Sequence, residues 1–294
     1  MKTGIIAIVG RPNTGKSTLV NALMNKKISI VTPTAQTTRN LIRGILTSEN
    51  YQLVFIDTPG IHKPKDELGR LLNKQSFGSL EGTDLIYFVV DGSSFFGPQD
   101  QQVYQRLVDL DIPVFLIITK IDKLKKPELI AKINEFTQDR KFDEIIPVSS
   151  LEKDNLDTLI EVSLKYLPSS DFTYYPEEMI VDYQEKFMLA ELIREQVLHA
   201  MDHEIPHQIT CVIENLQHED DHSYVQGLIL VERESQKPMI LGKQGQMIKR
   251  IRTQAQRQMR MYLERDVVLE LYVRVEKDWR NKLNKLEALG FSDE

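Results

Sequence analysis

A chain of 294 residues is too long for one ordinary domain and comfortable for two. Its net charge of −6 gives no pointer to nucleic acid, so any basic surface must be local, and its single cysteine, Cys211, excludes an internal disulfide framework and a cysteine zinc site. No run approaches the roughly 20 apolar residues of a membrane span, and the first apolar run stops at Gly10, too short for a signal-peptide core, so the expected location is the cytoplasm.

Residues 1–167 alternate short apolar runs with helical patterns. Strands are expected over Ile5–Val9, Gln52–Asp57, Leu85–Asp91, Val114–Thr119 and Ile145–Val148, with helices between most of them, among them Lys16–Leu23 and Glu128–Asp139. Near-continuous apolar strands separated by helices imply an α/β domain built on a mostly parallel sheet covered on both faces. At residues 168–180 the rhythm stops in a Pro- and Tyr-containing stretch, read as a linker. Residues 181–294 resume as a separate α+β unit. A helix (Lys186–Met201) is followed by strands Gln208–Asn215 and Val225–Glu232 around an acidic turn (His218–His222). A helix (Gln246–Leu263) and a strand (Val267–Val275) complete it. Cys211 falls in an apolar run and reads as a buried strand residue.

The sharpest motif is Gly10-Arg11-Pro12-Asn13-Thr14-Gly15-Lys16-Ser17, continued by Thr18, between a strand and a helix. It matches the G-x-x-x-x-G-K-S phosphate loop at every fixed position. Glycines let backbone N–H groups turn inward onto phosphate oxygens, and the helix that follows points its positive end at the same anion. Lys16 is expected on the β- and γ-phosphates and the Ser17 hydroxyl on Mg²⁺. The loop alone names neither base nor reaction. Asp57-Thr58-Pro59-Gly60 ends the next apolar strand, where a carboxylate can hold Mg²⁺ through water and the Gly60 N–H can meet the γ-phosphate. Thr119-Lys120-Ile121-Asp122 ends the fourth expected strand. The Asp122 carboxylate can accept from guanine N1–H and the 2-amino group, which adenine lacks, and the Lys120 stem can cover the base. Ser149-Ser150-Leu151 ends the fifth and can close over the base oxygen through backbone N–H groups.

These motifs, in this order, resemble the translation-factor-related GTPases and within them the Era family, over nearly the whole chain. The family's guanine motif usually begins with asparagine, where this chain has Thr119, and its phosphate loop usually carries valine, where this chain has Thr14. The resemblance implies a first switch at Ala35-Gln36-Thr37-Thr38-Arg39-Asn40, with Thr38 completing Mg²⁺ coordination when the γ-phosphate is present. It implies a second switch from Ile61 to about Leu71. Many relatives place a water-orienting glutamine where this chain has Ile61, so slow intrinsic turnover is expected. Asn13 matches the asparagine that binds K⁺ in some resembling GTPases; shaping the turn is the alternative reading. His62 sits in the same loop but is not taken as a base. His199, His203 and His207 are close in sequence, yet Pro206 breaks the helical spacing, so no metal is assigned to them.

In the second half, Leu241-Gly242-Lys243-Gln244-Gly245-Gln246-Met247-Ile248 carries a G-x-x-G turn ahead of a helix. KH domains clamp about four nucleotides of single strand with such a loop. From Lys237 to Arg260 there are seven basic residues, including Lys243, Lys249, Arg250, Arg252 and Arg257, and no acidic one. This is a local basic footprint in an acidic protein. The order of elements resembles the type II KH arrangement, and Gly227–Glu234 resembles the Era family closely. That resemblance implies binding to ribosomal RNA near the 3′ end of the small subunit's RNA, a role in small-subunit maturation, a monomer, and in some members peripheral contact with the inner membrane surface. Two other readings stay open: an RNA-modifying or phosphoryl-transfer enzyme, and a binding module whose GTP is structural.

Overall fold

The computed structural model describes residues 1–34, 37–201 and 208–291. In the first half, β1 (Lys2–Val9), α1 (Lys16–Leu23), β2 (Ile42–Ser48) and β3 (Tyr51–Asp57) come first. They are followed by α2 (Glu67–Gly78), β4 (Leu85–Asp91), α3 (Pro98–Leu107) and β5 (Val114–Thr119), then by α4 (Lys126–Thr137), β6 (Glu144–Pro147) and α5 (Leu156–Tyr166). The six strands lie in the order β2-β3-β1-β4-β5-β6. Every neighbouring pair is parallel except β2–β3. Strands buried on both faces need two cores, and the sheet has them. One is built on Ile6, Ile8, Phe55, Tyr87 and Phe115; the other lies on the opposite face around Ala7, Val9, Phe88, Leu116 and Ile118.

The apolar pattern predicts no strand between Lys16–Leu23 and Gln52–Asp57, but β2 is there. Its signal is weakened by Gly44, and it is the outermost strand of the sheet, its outer side met by the Gly44–Val181 bridge. The glycine is a space requirement: a Cβ at position 44 would lie 2.5 Å from Ile28 Cδ1. The second difference is α2, which begins inside the expected second-switch loop. Asp66 caps it, its Oδ1 accepting from Gly69 N at 2.7 Å.

The segment read as a linker is tied to the first sheet. Tyr175 and Gln52 exchange two hydrogen bonds of 2.9 and 3.0 Å, and Ile45 N donates to Ile180 O at 2.8 Å. It leads into α6 (Glu185–Ala200), β7 (Ile209–His218), β8 (His222–Val231), α7 (Lys237–Leu241), α8 (Gln246–Leu263), β9 (Asp266–Val275) and α9 (Leu283–Ala288). The strands lie β7-β8-β9, antiparallel then parallel. Helices α6 and α8 cover one face through Leu189, Ile193, Val197, Ile251, Ala255 and Met259. Cys211 is buried in β7, and burial pushes its thiol far above the ordinary range. Helices α7 and α9 are additions to the expected order. A cluster of Leu68, Leu71 and Leu72 with Trp279, Leu286 and Phe291 joins α2 of the first half to the end of the second.

Candidate functional site

At the C-terminal ends of the parallel strands, loops gather around a cleft of about 540 Å³. Such a crevice beyond the strand ends is where open α/β sheets bind ligands. Its lining includes Pro12, Asn13, Gly15, Lys16, Ser17, Thr18, Thr37, Thr38, Gly60 and Lys120. Gly15 caps α1 with φ +97°, a left-handed conformation that glycine adopts without strain. Gly60 lies against the loop so closely that a Cβ would sit 2.8 Å from Pro12 Cα. The sequence-expected phosphate loop and the Asp57–Gly60 turn therefore form one wall, with Ile61 N donating to Gly10 O at 3.1 Å.

Lys16 is almost fully buried and donates to the carbonyls of Gly10 and Arg11 at 3.0 and 2.9 Å. Burial lowers its pKa to about 8, against an upward pull from Asp57. A phosphate on this group favours the ammonium. Above about pH 8, binding must then take up a proton, and affinity falls by up to about tenfold per pH unit. GDP affinity measured from pH 7.5 to 9 is expected to bend downward near 8 in the native chain and to stay flat in a Lys16→Arg variant. A flat native profile would contradict this.

Ser17 Oγ and Thr38 Oγ1 are 2.8 Å apart. Asp57 is fully buried, its Oδ2 accepting from Ser29 Oγ at 2.8 Å while Oδ1 has no hydrogen-bond partner among the described residues. Burial raises its pKa, opposed by the Ser17 hydroxyl and Lys16. An orphaned buried carboxylate oxygen beside two hydroxyls is a hard-oxygen donor set of the kind Mg²⁺ takes. Sequence reading missed Ser29. It also missed Asn21, whose Oδ1 accepts from Ile28 N and Ser29 N, both at 2.9 Å, and so holds Ser29 in place. The signal was a polar residue facing inward from α1.

Other expected residues fall into place differently. The Thr119 hydroxyl is buried, 2.5 Å from Thr14 O and 3.0 Å from Val90 O, so it ties the phosphate loop to β4. Lys120, at φ +59°, bonds Asn13 O at 2.8 Å and Asp91 Oδ2 at 2.6 Å, which stretches its stem across the mouth of the cleft. Asp122 is oriented by Ser149 Oγ at 2.6 Å. Ser150 Oγ is buried without a partner among the described residues, and the Leu151 side chain is exposed. The Arg11 side chain serves the loop from outside the cleft. It turns away to Asp100, 3.1 Å from Oδ1, because that nearly buried carboxylate needs a cation, leaving only the Arg11 backbone at the loop. Thr14 Oγ1 bonds back to Arg11 O within the loop. Thr58 Oγ1 donates to Ile8 O at 2.7 Å, and Pro59 O accepts from Ser76 Oγ at 2.9 Å, so both brace the turn. Asn13 Nδ2 donates to Pro33 O at 2.9 Å, linking the phosphate loop to the segment just before the first switch. Ile61 is packed in the sheet core. The His62 ring lies 2.9 Å from Gly60 O. His199, from α6 of the second half, lines the cleft. Ala35, Gln36, His203 and His207 lie outside the described residues.

The second site is the turn between α7 and α8. Gly242 (φ +72°, ψ 175°) and Gly245 (φ +74°) flank Lys243 and Gln244, both exposed. A Cβ on Gly242 would lie 2.6 Å from Met247 Cβ; on Gly245 it would meet nothing within 4 Å. Lys249, Arg250, Arg252 and Arg257 are exposed along α8, while Ile251, Ala255 and Met259 are buried. Beside Lys249 and Arg252, a groove of about 390 Å³ is walled by Glu270, Leu271 and Tyr272 of β9, residues the sequence did not single out. A strand edge facing a cationic helix can take an extended single strand, its phosphates on the helix and its bases toward β9.

Residues 5–120 match the family model described as 50S ribosome-binding GTPase, and residues 204–280 match the model of the KH domain. Among solved structures, a variant of Aquifex aeolicus Era bound to GDP and aluminium fluoride is 38% identical. It has a TM-score of 0.95, over 99% of this chain and 100% of that one. A second Era structure, in complex with MgGDPNP and nucleotides 1506–1542 of 16S ribosomal RNA, is also 38% identical. Its TM-score is 0.93, with 99% of each chain covered.

Proposed function

The chain belongs to the Era family of GTPases, and we propose that it is a GTP-hydrolysing, RNA-binding switch acting in small ribosomal subunit maturation. It binds ribosomal RNA near its 3′ end, with nucleotide state gating that binding. One observation supports this most. A single chain carries both a phosphate cleft with a carboxylate at its base-reading end and a Gly-Lys-Gln-Gly turn opening an exposed basic helix face. The Era structure solved with MgGDPNP and a 16S RNA fragment, alike over 99% of this chain, supports the same partners here: GTP or GDP, small-subunit RNA and Mg²⁺.

In this reading Gly10 to Thr18 wrap the phosphates. Lys16 exchanges its two carbonyls for β- and γ-phosphate oxygens. Ser17 and Thr38 would hold Mg²⁺ directly, and Asp57 would hold it through water. When bound, Mg²⁺ neutralises charge developing across the β- and γ-phosphates. The Gly60 N–H meets the γ-phosphate. Asp122 reads guanine, Lys120 covers the ring, and the Ser149–Leu151 turn closes over the base oxygen. Ile61 cannot orient water, so the charge stabilisation comes from Lys16 and backbone donors, and intrinsic turnover is slow. Gly242, Lys243, Gln244 and Gly245 clamp the RNA backbone, with Lys249, Arg250, Arg252 and Arg257 along its phosphates.

Among the described residues no helix is long and apolar enough to cross a membrane. Location in the cytoplasm follows from a ribosomal partner. A monomeric state and peripheral contact with the inner membrane surface, carried over from the family, belong to the same proposal.

The test is GTP turnover and RNA affinity measured together. RNA that binds one nucleotide state better must change nucleotide affinity by the same factor. Mutual effects of about fivefold or more are expected; absence of turnover under every condition would oppose the reading. A separate expectation concerns Asn13, whose side chain bridges the phosphate loop and Pro33. A potassium ion held there would act as a fixed positive charge on the transition state, so initial rates in K⁺ are expected to exceed those in Na⁺ by about tenfold. Equal rates would remove K⁺ from the account.

A further inference from the structure

The loop that leads from α1 into the first switch, and the switch itself, are wound into the second domain. Ile30 is fully buried in the core cluster under α6 and β7–β9. Val31 N donates to Glu195 Oε1 at 3.1 Å, and Lys27 Nζ reaches the other oxygen of that carboxylate at 2.6 Å. One residue earlier on α6, Arg194 donates Nη2 to Thr37 O and is held by Glu191 through Nε at 2.7 Å. Arg39 is 2% exposed, donates Nη1 to Ile209 O at 2.5 Å, and lies 5.9 Å from the Trp279 ring centroid. Trp279 is fully buried, its Nε1 donating to Gln208 O at 3.2 Å, and packs on α2 of the first half.

These contacts bracket a single residue. The carbonyl before Thr38 and the side chain after it are both fixed by the second domain, while Thr38 itself rests on Ser17 at 2.8 Å. Burying two guanidiniums near one another is unfavourable, and both burial and Arg194 lower the pKa of Arg39. A surface loop needs no such anchors to stay folded. Their geometric consequence is local: if Arg39 or Arg194 lets go, the Thr38 hydroxyl loses its fixed distance from Ser17.

We propose that Arg39 and Arg194 are positioning residues through which the docked second domain holds Thr38 at the metal, so that docking favours GTP over GDP. The inference rests on the reading of Thr38 as the residue that binds Mg²⁺ only in the GTP state. A clamp acting on both nucleotides equally would shift nothing between the states.

The experiment uses the full chain and stopped-flow dissociation of fluorescent GDPNP and fluorescent GDP. Arg39→Met is expected to speed GDPNP release about tenfold and leave GDP release within about twofold. Amide exchange at residues 37–39 of the nucleotide-free variant should also rise, a readout independent of hydrolysis. If Arg39→Met fails to fold, Arg39→Lys and Arg194→Lys decide by the same two rates. Thr38→Ala is the reference. If it discriminates between the nucleotides and the arginine variants do not, the clamp is wrong. If Thr38→Ala itself fails to discriminate, the metal reading of Thr38 falls first and the clamp with it.

Discussion

Replacing Asp122 with alanine is expected to weaken GTP binding by roughly 10²- to 10⁴-fold. The carboxylate offers guanine two charge-assisted hydrogen bonds, each worth about 1.5–3 kcal/mol when the partner is otherwise left unpaired. Ser149 Oγ already fixes the group at 2.6 Å, so its orientation is set before the base arrives. Asp122 is exposed, at the start of a short turn after β5, and removing it leaves no buried charge without a partner. Fold stability should therefore stay within about 0.5 kcal/mol of the native chain. Isothermal titration with GDP, paired with thermal unfolding, checks both halves. An affinity within about threefold of native would place guanine recognition elsewhere.

Changing Gly245 to aspartate is expected to cost about 30- to 100-fold in RNA affinity with little effect on the fold. The two glycines of the turn are not equivalent. At Gly242 a side chain would collide with Met247 at 2.6 Å, in a conformation with φ +72° and ψ 175° that only glycine enters freely. Gly242→Asp thus damages the turn itself. At Gly245 the space is open and φ is +74°, the left-handed region that aspartate tolerates better than most residues. A carboxylate there also faces the positive N-terminal end of α8, which offsets part of the backbone strain. What it adds at the RNA is a negative charge between Lys243 and Lys249, where the phosphate backbone must approach. Fluorescence anisotropy with a single-stranded RNA, together with the salt dependence of binding, measures it. Unchanged affinity for a folded Gly245→Asp chain would remove the turn from the interface. Arg252→Ala, by contrast, should lower the salt slope by about one and weaken all sequences alike.

Local signals made much of this legible from sequence. Helices α1 and α8 and strands β4 and β5 occupy the expected residues, because continuous apolar strands and a one-sided helical stripe are strong periodic patterns. The Gly10–Ser17 loop was readable because its whole pattern is contiguous in sequence, between a strand and a helix. Strand β2 was hidden by Gly44, whose reason is the distant Ile28 side chain. Helix α2 was hidden by the lysine- and proline-containing stretch before its Asp66 cap. Thr119 was legible as a departure from the usual asparagine, but not as the group that binds Thr14 O and Val90 O. Ser29, Arg194, Glu195 and His199 carried no motif. Ser29 meets Asp57, Arg194 meets Thr37, Glu195 meets Val31 and His199 lines the cleft, all through contacts long in sequence.

Crosslinking the native protein to RNA in cells, then mapping the joined positions on both molecules, tests the central claim most directly. The account predicts contacts concentrated at the 3′ end of small-subunit ribosomal RNA, joined to the Gly242–Gly245 turn and the basic face of α8, and lost in the Gly245→Asp chain. Contacts scattered over unrelated RNAs, or a pattern unchanged by that substitution, would contradict it.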